Sequence, residues 1–431
     1  VSRKTSALTV MTGSSIAQVA VFAVMSVLST RLLGAHGRGL MVVGTAVGST
    51  MALLAGMGSG AYLRARLPLL TGLDRSRLLA SFTWWTMLGS LISAILAVAL
   101  SLASARLIDS EFAQPRFLCA VLAVTFGYVA FSQFTEPWYA AGEFRVGSVW
   151  ATVVAGSGLI AMLVAVLFSR SASVLLLAQG LGMTFMAVTQ ASHLHRHGLL
   201  TFRRPARRDM LDLLWSGSPA LGLTVGLAIT LKADRYILGA VAGASAVGVY
   251  ALVSTLSELP RLIPASFGQV VMRETAVGIT LRRARRAVGA AVIAAAVIGV
   301  AVAAGGSLLL GPVFGPEFAD ASPLLLVMLV AELAFAPFAV ASRGLLGGGH
   351  TRMAGTIGVV GGLVAVLLFI VLIPVWGTYG AAASCLTVYG GMSLVSWRLF
   401  RDRLGVRIAM PRSPAISEPA KTALTTGSEV P

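Results

Sequence analysis

The sequence predicts an all-α polytopic membrane protein, and three observations carry that prediction. Only 11% of its 431 residues are charged, against roughly 25% in soluble domains. Hydrophobic residues make up 57%, with 47 glycines besides, which leaves too little polar surface to clothe a soluble globule of this size. Apolar runs long enough to cross a hydrocarbon core of about 30 Å recur along the chain. The same composition excludes a disordered chain, a collagen-like repeat and a disulfide scaffold. The two cysteines, Cys119 and Cys385, both sit in apolar stretches and read as unpaired thiols.

Twelve runs are read as transmembrane helices, because barrel strands would alternate over about ten residues instead of staying apolar throughout. The first, Leu8 to Thr30, follows Arg3 and Lys4. It is too long for a signal peptide and lacks a small-residue cleavage site before Arg31, so it is read as a retained span. Next come Gly39 to Leu63, Leu78 to Ala103, Phe117 to Ala140, Gly147 to Phe168 and Val174 to Ser192. The stretch 195–212, with five Arg and Pro205, interrupts the series as a basic linker. Six more runs follow: Leu213 to Leu231, Ala244 to Val271, Val288 to Leu310, Pro323 to Leu345, Ala354 to Pro374 and Gly377 to Phe400. Residues 1–194 and 213–403 therefore read as two six-helix lobes. The tail 404–431, with Pro411, Pro414, Pro419 and Pro431, is expected to be disordered in the cytoplasm.

A net charge of +17 could suggest nucleic acid, but placement decides otherwise. With the N-terminus inside, cytoplasmic segments hold 25 Lys and Arg and outer segments seven, Arg38 among the latter, with Arg261 inside a span. By the positive-inside rule both termini are cytoplasmic, and the charge is a topology signal. Each lobe has an even number of spans, so any repeat between them is parallel, about an axis along the membrane normal. Arg31-Leu32-Leu33-Gly34-Ala35, leading to Gly39, echoes Arg235-Tyr236-Ile237-Leu238-Gly239-Ala240, leading to Gly248. Gly142-Glu143-Phe144-Arg145 echoes Gly349-His350-Thr351-Arg352 at an offset of 207.

Charges inside spans are costly and face a cavity or one another. Arg31, Lys232, Asp234 and Arg235 lie where the first and seventh spans end, Glu136 in the fourth, Glu258 and Arg261 in the eighth, and Glu332 in the tenth. In a pseudo-twofold bundle Arg31 would face Lys232 and Arg235 across a central cleft, a site suited to an anion, with Arg able to hold phosphate bidentately. Glu258 and Arg261 are also i, i+3 neighbours that could simply pair, whereas Glu332 has no cation three or four residues away. Pro137, Pro219, Pro260, Pro264 and Pro337 interrupt the same helices and leave carbonyls to line the cavity. The His193, His195, His197 trio has no acidic or Cys partner and makes a poor metal site. No Walker sequence, nucleophile motif or outer acidic pair is present. A non-enzymatic protein without cofactor or metal is expected, and any uphill transport would draw on an ion gradient or on substrate flux.

At Arg31-Leu32-Leu33-Gly34, Asp234-Arg235-Tyr236-Ile237-Leu238-Gly239, Val247-Gly248-Val249-Tyr250 and Ile373-Pro374-Val375-Trp376-Gly377-Thr378-Tyr379-Gly380-Ala381-Ala382, the chain resembles the Wzx-type polysaccharide transporters of the multidrug/oligosaccharidyl-lipid/polysaccharide superfamily. The resemblance implies two six-helix bundles in a V about a central cavity, as in MATE transporters. It also implies export of polyprenyl-diphosphate-linked oligosaccharide across the bacterial cytoplasmic membrane. Arg31, Lys232, Arg235 and Arg261 would then hold the diphosphate, and Glu136, Asp234, Glu258 and Glu332 would couple an ion or gate. Besides substrate and membrane lipid, glycosyltransferases or a polymerase of the same pathway are the partners such a role implies, and nucleic acid is not among them. Twelve spans count against the lipid II flippase branch, whose members usually carry two more. Two alternatives stand beside this one: a cation-coupled multidrug exporter of the same superfamily, and a non-transporting scaffold for a glycan-assembly complex.

Overall fold

The computed structural model describes residues 2–409, and among these it contains helices and no strand. The α-helices are α1 (Ser2–Gly56), α2 (Ser59–Arg66), α3 (Gly72–Leu107), α4 (Pro115–Gln133), α5 (Glu136–Ala140), α6 (Phe144–Val166) and α7 (Ala172–Arg196). After the linker come α8 (Arg207–Ser257), α9 (Leu262–Val277), α10 (Leu281–Leu309), α11 (Ser322–Gly347) and α12 (Thr351–Ala409). Nine helical elements among the described residues are long and apolar enough to cross a membrane. Exposed apolar side chains cover the outer faces of α3 (Leu91, Ile95), α10 (Ile293, Val297, Val300) and α12 (Leu363, Leu367, Ile370), as expected where lipid is the solvent.

Three of the nine are hairpins. As one rod the 55 residues of α1 would extend about 80 Å, more than twice the hydrocarbon core. Instead Gly34 takes φ 63 and breaks the helix, as Gly243 (φ 78) does in α8 and Gly377 (φ 56) in α12. Only glycine enters this left-handed region without a Cβ penalty. The chain reverses at each: Arg38 donates to Ser26, twelve residues back, at 2.7 Å, and Tyr250 donates to Asp234 at 2.7 Å. In a straight helix that second pair would stand about 24 Å apart. In α12 a Cβ at Gly361 would meet the Met392 side chain. Counting both arms of each hairpin, the described residues make twelve crossings, one for each apolar run.

The first half packs α1 against α3, α4, α6 and α7; the second packs α8 and α11 against α12, and α9 against α11. The halves meet chiefly where α1 lies on α8. That contact is reciprocal: a Cβ at Gly39 would strike the Ala244 carbonyl, and one at Gly248 would strike the Ala35 carbonyl. Gly34, Ala35 and Gly39 thus correspond to Gly243, Ala244 and Gly248 at an offset of 209, so the partner of Gly34 is Gly243 and not the Gly239 of the sequence echo. The second echo keeps its register. Gly142 (φ 83) and Gly349 (φ 82) occupy identical turns, in which the next amide bonds back five residues, Glu143 to Trp138 and His350 to Leu345, both at 2.9 Å. This is a Schellman cap at each site.

Two boundaries differ from expectation. Helix α7 continues to Arg196 and α8 starts at Arg207, so the non-helical part of the 195–212 linker is shorter than composition suggests. Helix α12 runs to Ala409, past the boundary at 403; the expected disorder of 410–431 falls outside the described residues. The side chains of 216–221, Pro219 included, are likewise outside the description.

Candidate functional site

A cavity of about 520 Å³ opens between the halves, lined by both arms of α1 and by α4, α7, α8 and α9. The first half contributes Ser26, Arg38, Thr45, Ser49, Tyr128 and Gln179; the second contributes Lys232, Arg235, Thr255, Glu258 and Arg261. Four cations therefore share the lining with one carboxylate. Lys232 reaches across the cavity to donate to Ser49 at 2.6 Å, and Ser26 meets Thr255 at 3.5 Å.

Arg38 stands four residues past the Gly34 break, one turn into the second arm, and is 8% exposed. Its guanidinium donates to Ser29 at 2.8 Å and to Ser26 at 2.7 Å, two neutral hydroxyls that leave the charge uncompensated. Arg235 donates from its guanidinium to Ser254 at 3.4 Å and Glu258 at 3.5 Å. The Nε atoms of Arg38 and Arg235 are buried without a hydrogen-bond partner. Unfilled donors on buried guanidinium groups are costly unless an acceptor arrives, and a phosphate has oxygens enough for several.

Behind the lining lies a buried polar network. Asp234, 3% exposed, accepts the Arg235 backbone amide at 2.8 Å and the Tyr250 hydroxyl at 2.7 Å, and Tyr250 lies 3.7 Å from the Cys385 sulfur. Glu332, 2% exposed, takes both oxygens to Arg261: Nε donates at 2.8 Å, and an Nη donates to the other oxygen. The Arg261 guanidinium also covers Phe335, 4.5 Å from the ring centre, and lies 5.6 Å from that of Tyr389.

Of the eight residues singled out from sequence, the structure brings Lys232, Arg235, Glu258 and Arg261 into the cavity lining and sets Asp234 and Glu332 against them. Arg31 is not among them: it is exposed at the end of the first arm of α1, and the place expected for it opposite Lys232 and Arg235 belongs to Arg38. Glu136 is elsewhere too, in an ion pair with Arg64 of α2. Burial lowers the Arg64 pKa, but the Glu136 hydrogen bond and charge outweigh it and leave the pKa above its ordinary value. The i, i+3 pairing of Glu258 with Arg261 gives way to longer-range partners, Arg235 and Glu332. Arg38, Tyr128 and Gln179 were missed. Arg38 precedes the apolar run that starts at Gly39 and so counts as a loop cation; the turn glycine at 34 was the one signal that could have moved it inside. His193 and His197 pair at the end of α7, where Trp150 donates to His193 at 3.0 Å and His193 meets His197 at 3.0 Å, whereas His195 faces the Leu200 carbonyl instead.

A family profile described as polysaccharide biosynthesis protein matches residues 3–272, and no curated protein sequence matches the chain. Among solved structures the chain is similar to an inward-facing multidrug resistance MATE family transporter of the MOP superfamily, at 16% identity and TM-score 0.69, covering 90% of this chain and 96% of that one. It is similar to lipid II flippase MurJ in an inward closed conformation, at 13% identity and TM-score 0.67, covering 92% and 87%. A eukaryotic MATE transporter, AtDTX14, aligns at 14% identity and TM-score 0.61, covering 94% and 98%. At such identities the likeness is one of fold: the two-lobed MOP arrangement of helices.

Proposed function

Because the chain belongs to the polysaccharide biosynthesis protein family, we propose that it is a flippase for polyprenyl-diphosphate-linked oligosaccharide in the bacterial cytoplasmic membrane, with both termini cytoplasmic. The observation that carries this reading is the charge of the cavity: Arg38, Lys232, Arg235 and Arg261 still outnumber Glu258 in the lining with Asp234 and Glu332 behind it, and Arg38 has only neutral hydroxyl partners. Such a lining favours an anionic head and disfavours the organic cations a multidrug exporter would take. The diphosphate binds among the four cations, the glycan fills the polar remainder of the cavity, and the polyprenyl tail stays in lipid. Two six-helix lobes, 1–194 and 213–403, rock about this site in alternating access. The Gly39 and Gly248 contacts close the end that the positive-inside rule places outside, consistent with likeness to an inward-facing transporter. Asp234 and Glu332, buried behind the cations, exchange a coupling ion or re-pair with them when the substrate leaves. Glu258 shifts between Arg235 and solvent in the same cycle.

The test is translocation of a fluorescent lipid-linked glycan in proteoliposomes holding the purified chain. Flipping by wild type, with at least a tenfold loss in a Lys232→Ala, Arg235→Ala variant that still folds, is the expected result. Wild-type rates from that variant would remove the headgroup site, and no flipping by wild type would leave the scaffold alternative standing.

A further inference from the structure

A second cavity, of about 560 Å³, lies on the flank of the first half, away from the cationic cleft. Helices α3 and α7 each pack on α4 rather than on one another, which leaves a groove floored by α4. Phe126, Val129 and Ala130 line it from α4, and Ala187, Val188 and Ala191 from α7. Along α7 the lining changes character: past Ala191 it becomes Ser192, His195 and Arg196. From Thr184 to Arg196 the groove runs roughly 18 Å along the helix. That is about the depth of one leaflet of a ~30 Å core plus the start of its headgroup layer.

The polar end is built, and its charge has one sign. No acidic residue lines the groove. His195 donates through Nδ1 to the Leu200 carbonyl at 3.1 Å, which folds the linker back over the mouth. The linker is pinned to α3 as well: the Trp84 indole donates to the Phe202 carbonyl and the Thr201 amide to the Thr83 hydroxyl, both at 3.4 Å. Arg203 and Arg204 follow directly and are exposed, as is Arg196. A volume of this size is ordinary for a small-ligand site, and basic pockets between helices at the cytoplasmic side suit anionic headgroups.

We propose that this groove is a binding site for one anionic glycerophospholipid of the leaflet facing the basic linker. An acyl chain lies along α4 between α3 and α7, and the phosphate sits at Arg196 with Arg203 and Arg204 beside it. Charge complementarity and the match of apolar length to a single leaflet select this occupant. Because the linker over its mouth joins α7 to α8, a bound lipid touches the connection between the two halves without entering the cavity that separates them.

The experiment is native mass spectrometry of the full chain titrated with phosphatidylglycerol or phosphatidylcholine of the same acyl chains. Wild type should hold one phosphatidylglycerol at least tenfold more tightly than phosphatidylcholine. Arg196→Ala should lose most of that preference while keeping its melting temperature. Ala191→Trp, which fills the groove, should lose the bound lipid with either headgroup, and Ala191→Val serves as the milder variant should the larger side chain prevent folding. Equal retention of the two lipids by wild type, or undiminished phosphatidylglycerol binding in Arg196→Ala or in the folded groove-filling variant, overturns the site. Flipping is not the readout, so failure here leaves the transport proposal untouched.

Discussion

Removing Glu332 should strand Arg261, and the cost can be worked from the geometry. Glu332 is 2% exposed, and both of its oxygens accept from one guanidinium. Breaking such a buried pair by deleting one partner costs about 3–5 kcal/mol, because the remaining charge is left uncompensated. The rings of Phe335 and Tyr389 return about 0.5–2 kcal/mol by cation–π attraction at most, so Glu332→Met should lose no less than about 1 kcal/mol. The partners are not symmetric. A stranded carboxyl can take up a proton and become neutral, whereas a stranded guanidinium cannot. Arg261→Met should therefore cost less than Glu332→Met, and the double variant Arg261→Met, Glu332→Met should return to wild-type stability or exceed it, since apolar replacement of a buried pair is often neutral or better. Unfolding of the reconstituted protein in mixed micelles, arranged as a double-mutant cycle, reads the coupling directly. Transport should stay low in the double variant, which has lost a headgroup cation, so stability and flipping come apart. A Glu332→Met protein within about 1 kcal/mol of wild type, or a double variant as unstable as that single one, would refute the reasoning.

The remaining predictions are narrower. Arg38→Ala should slow flipping at least tenfold, whereas Arg31→Ala should leave the rate within twofold of wild type; a reversal of the two would return Arg31 to the cavity. Gly39→Ala and Gly248→Ala each place a methyl against a backbone carbonyl of the other half, so both should open that end. The readout is faster labelling of a cysteine placed at the buried Ala35 by a membrane-impermeant maleimide, in a chain whose exposed Cys119 is replaced by serine, and unchanged labelling in both would count against the interlock. Gly142→Ala and Gly349→Ala force a Cβ into the same left-handed conformation, so each should cost about 1–2 kcal/mol. Nearly equal losses in an unfolding titration are expected, and a strong inequality would argue that the two caps are not equivalent.

Much of the fold was legible along the chain. Twelve apolar runs correspond to twelve crossings, because hydropathy over about twenty residues is a local sum that tertiary contacts do not alter. The Gly142 and Gly349 echo was legible too, since a helix cap is set by a few consecutive residues. The other echo slipped by five residues. Arg31 and Arg235 look alike in sequence, but what aligns the halves is the pair of turn glycines, Gly34 and Gly243, and a turn glycine is indistinguishable in composition from the other glycines of such a chain. Glu258 and Arg261 looked like partners because spacing reports only neighbours on one helix.

Sequence by itself determined that this is a polytopic helical membrane protein, where its spans run, and which few charges must be sheltered from lipid. Those are consequences of transfer free energies that act on each segment alone. Only the tertiary structure decided which sheltered charges meet. Arg38 enters the cavity because the helix reverses at Gly34 and not at the edge of the apolar run. Arg261 finds Glu332, 71 residues away, because α9 and α11 pack side by side. Electrostatic pairing depends on distance in space, and helix packing sets that distance without reference to separation along the chain.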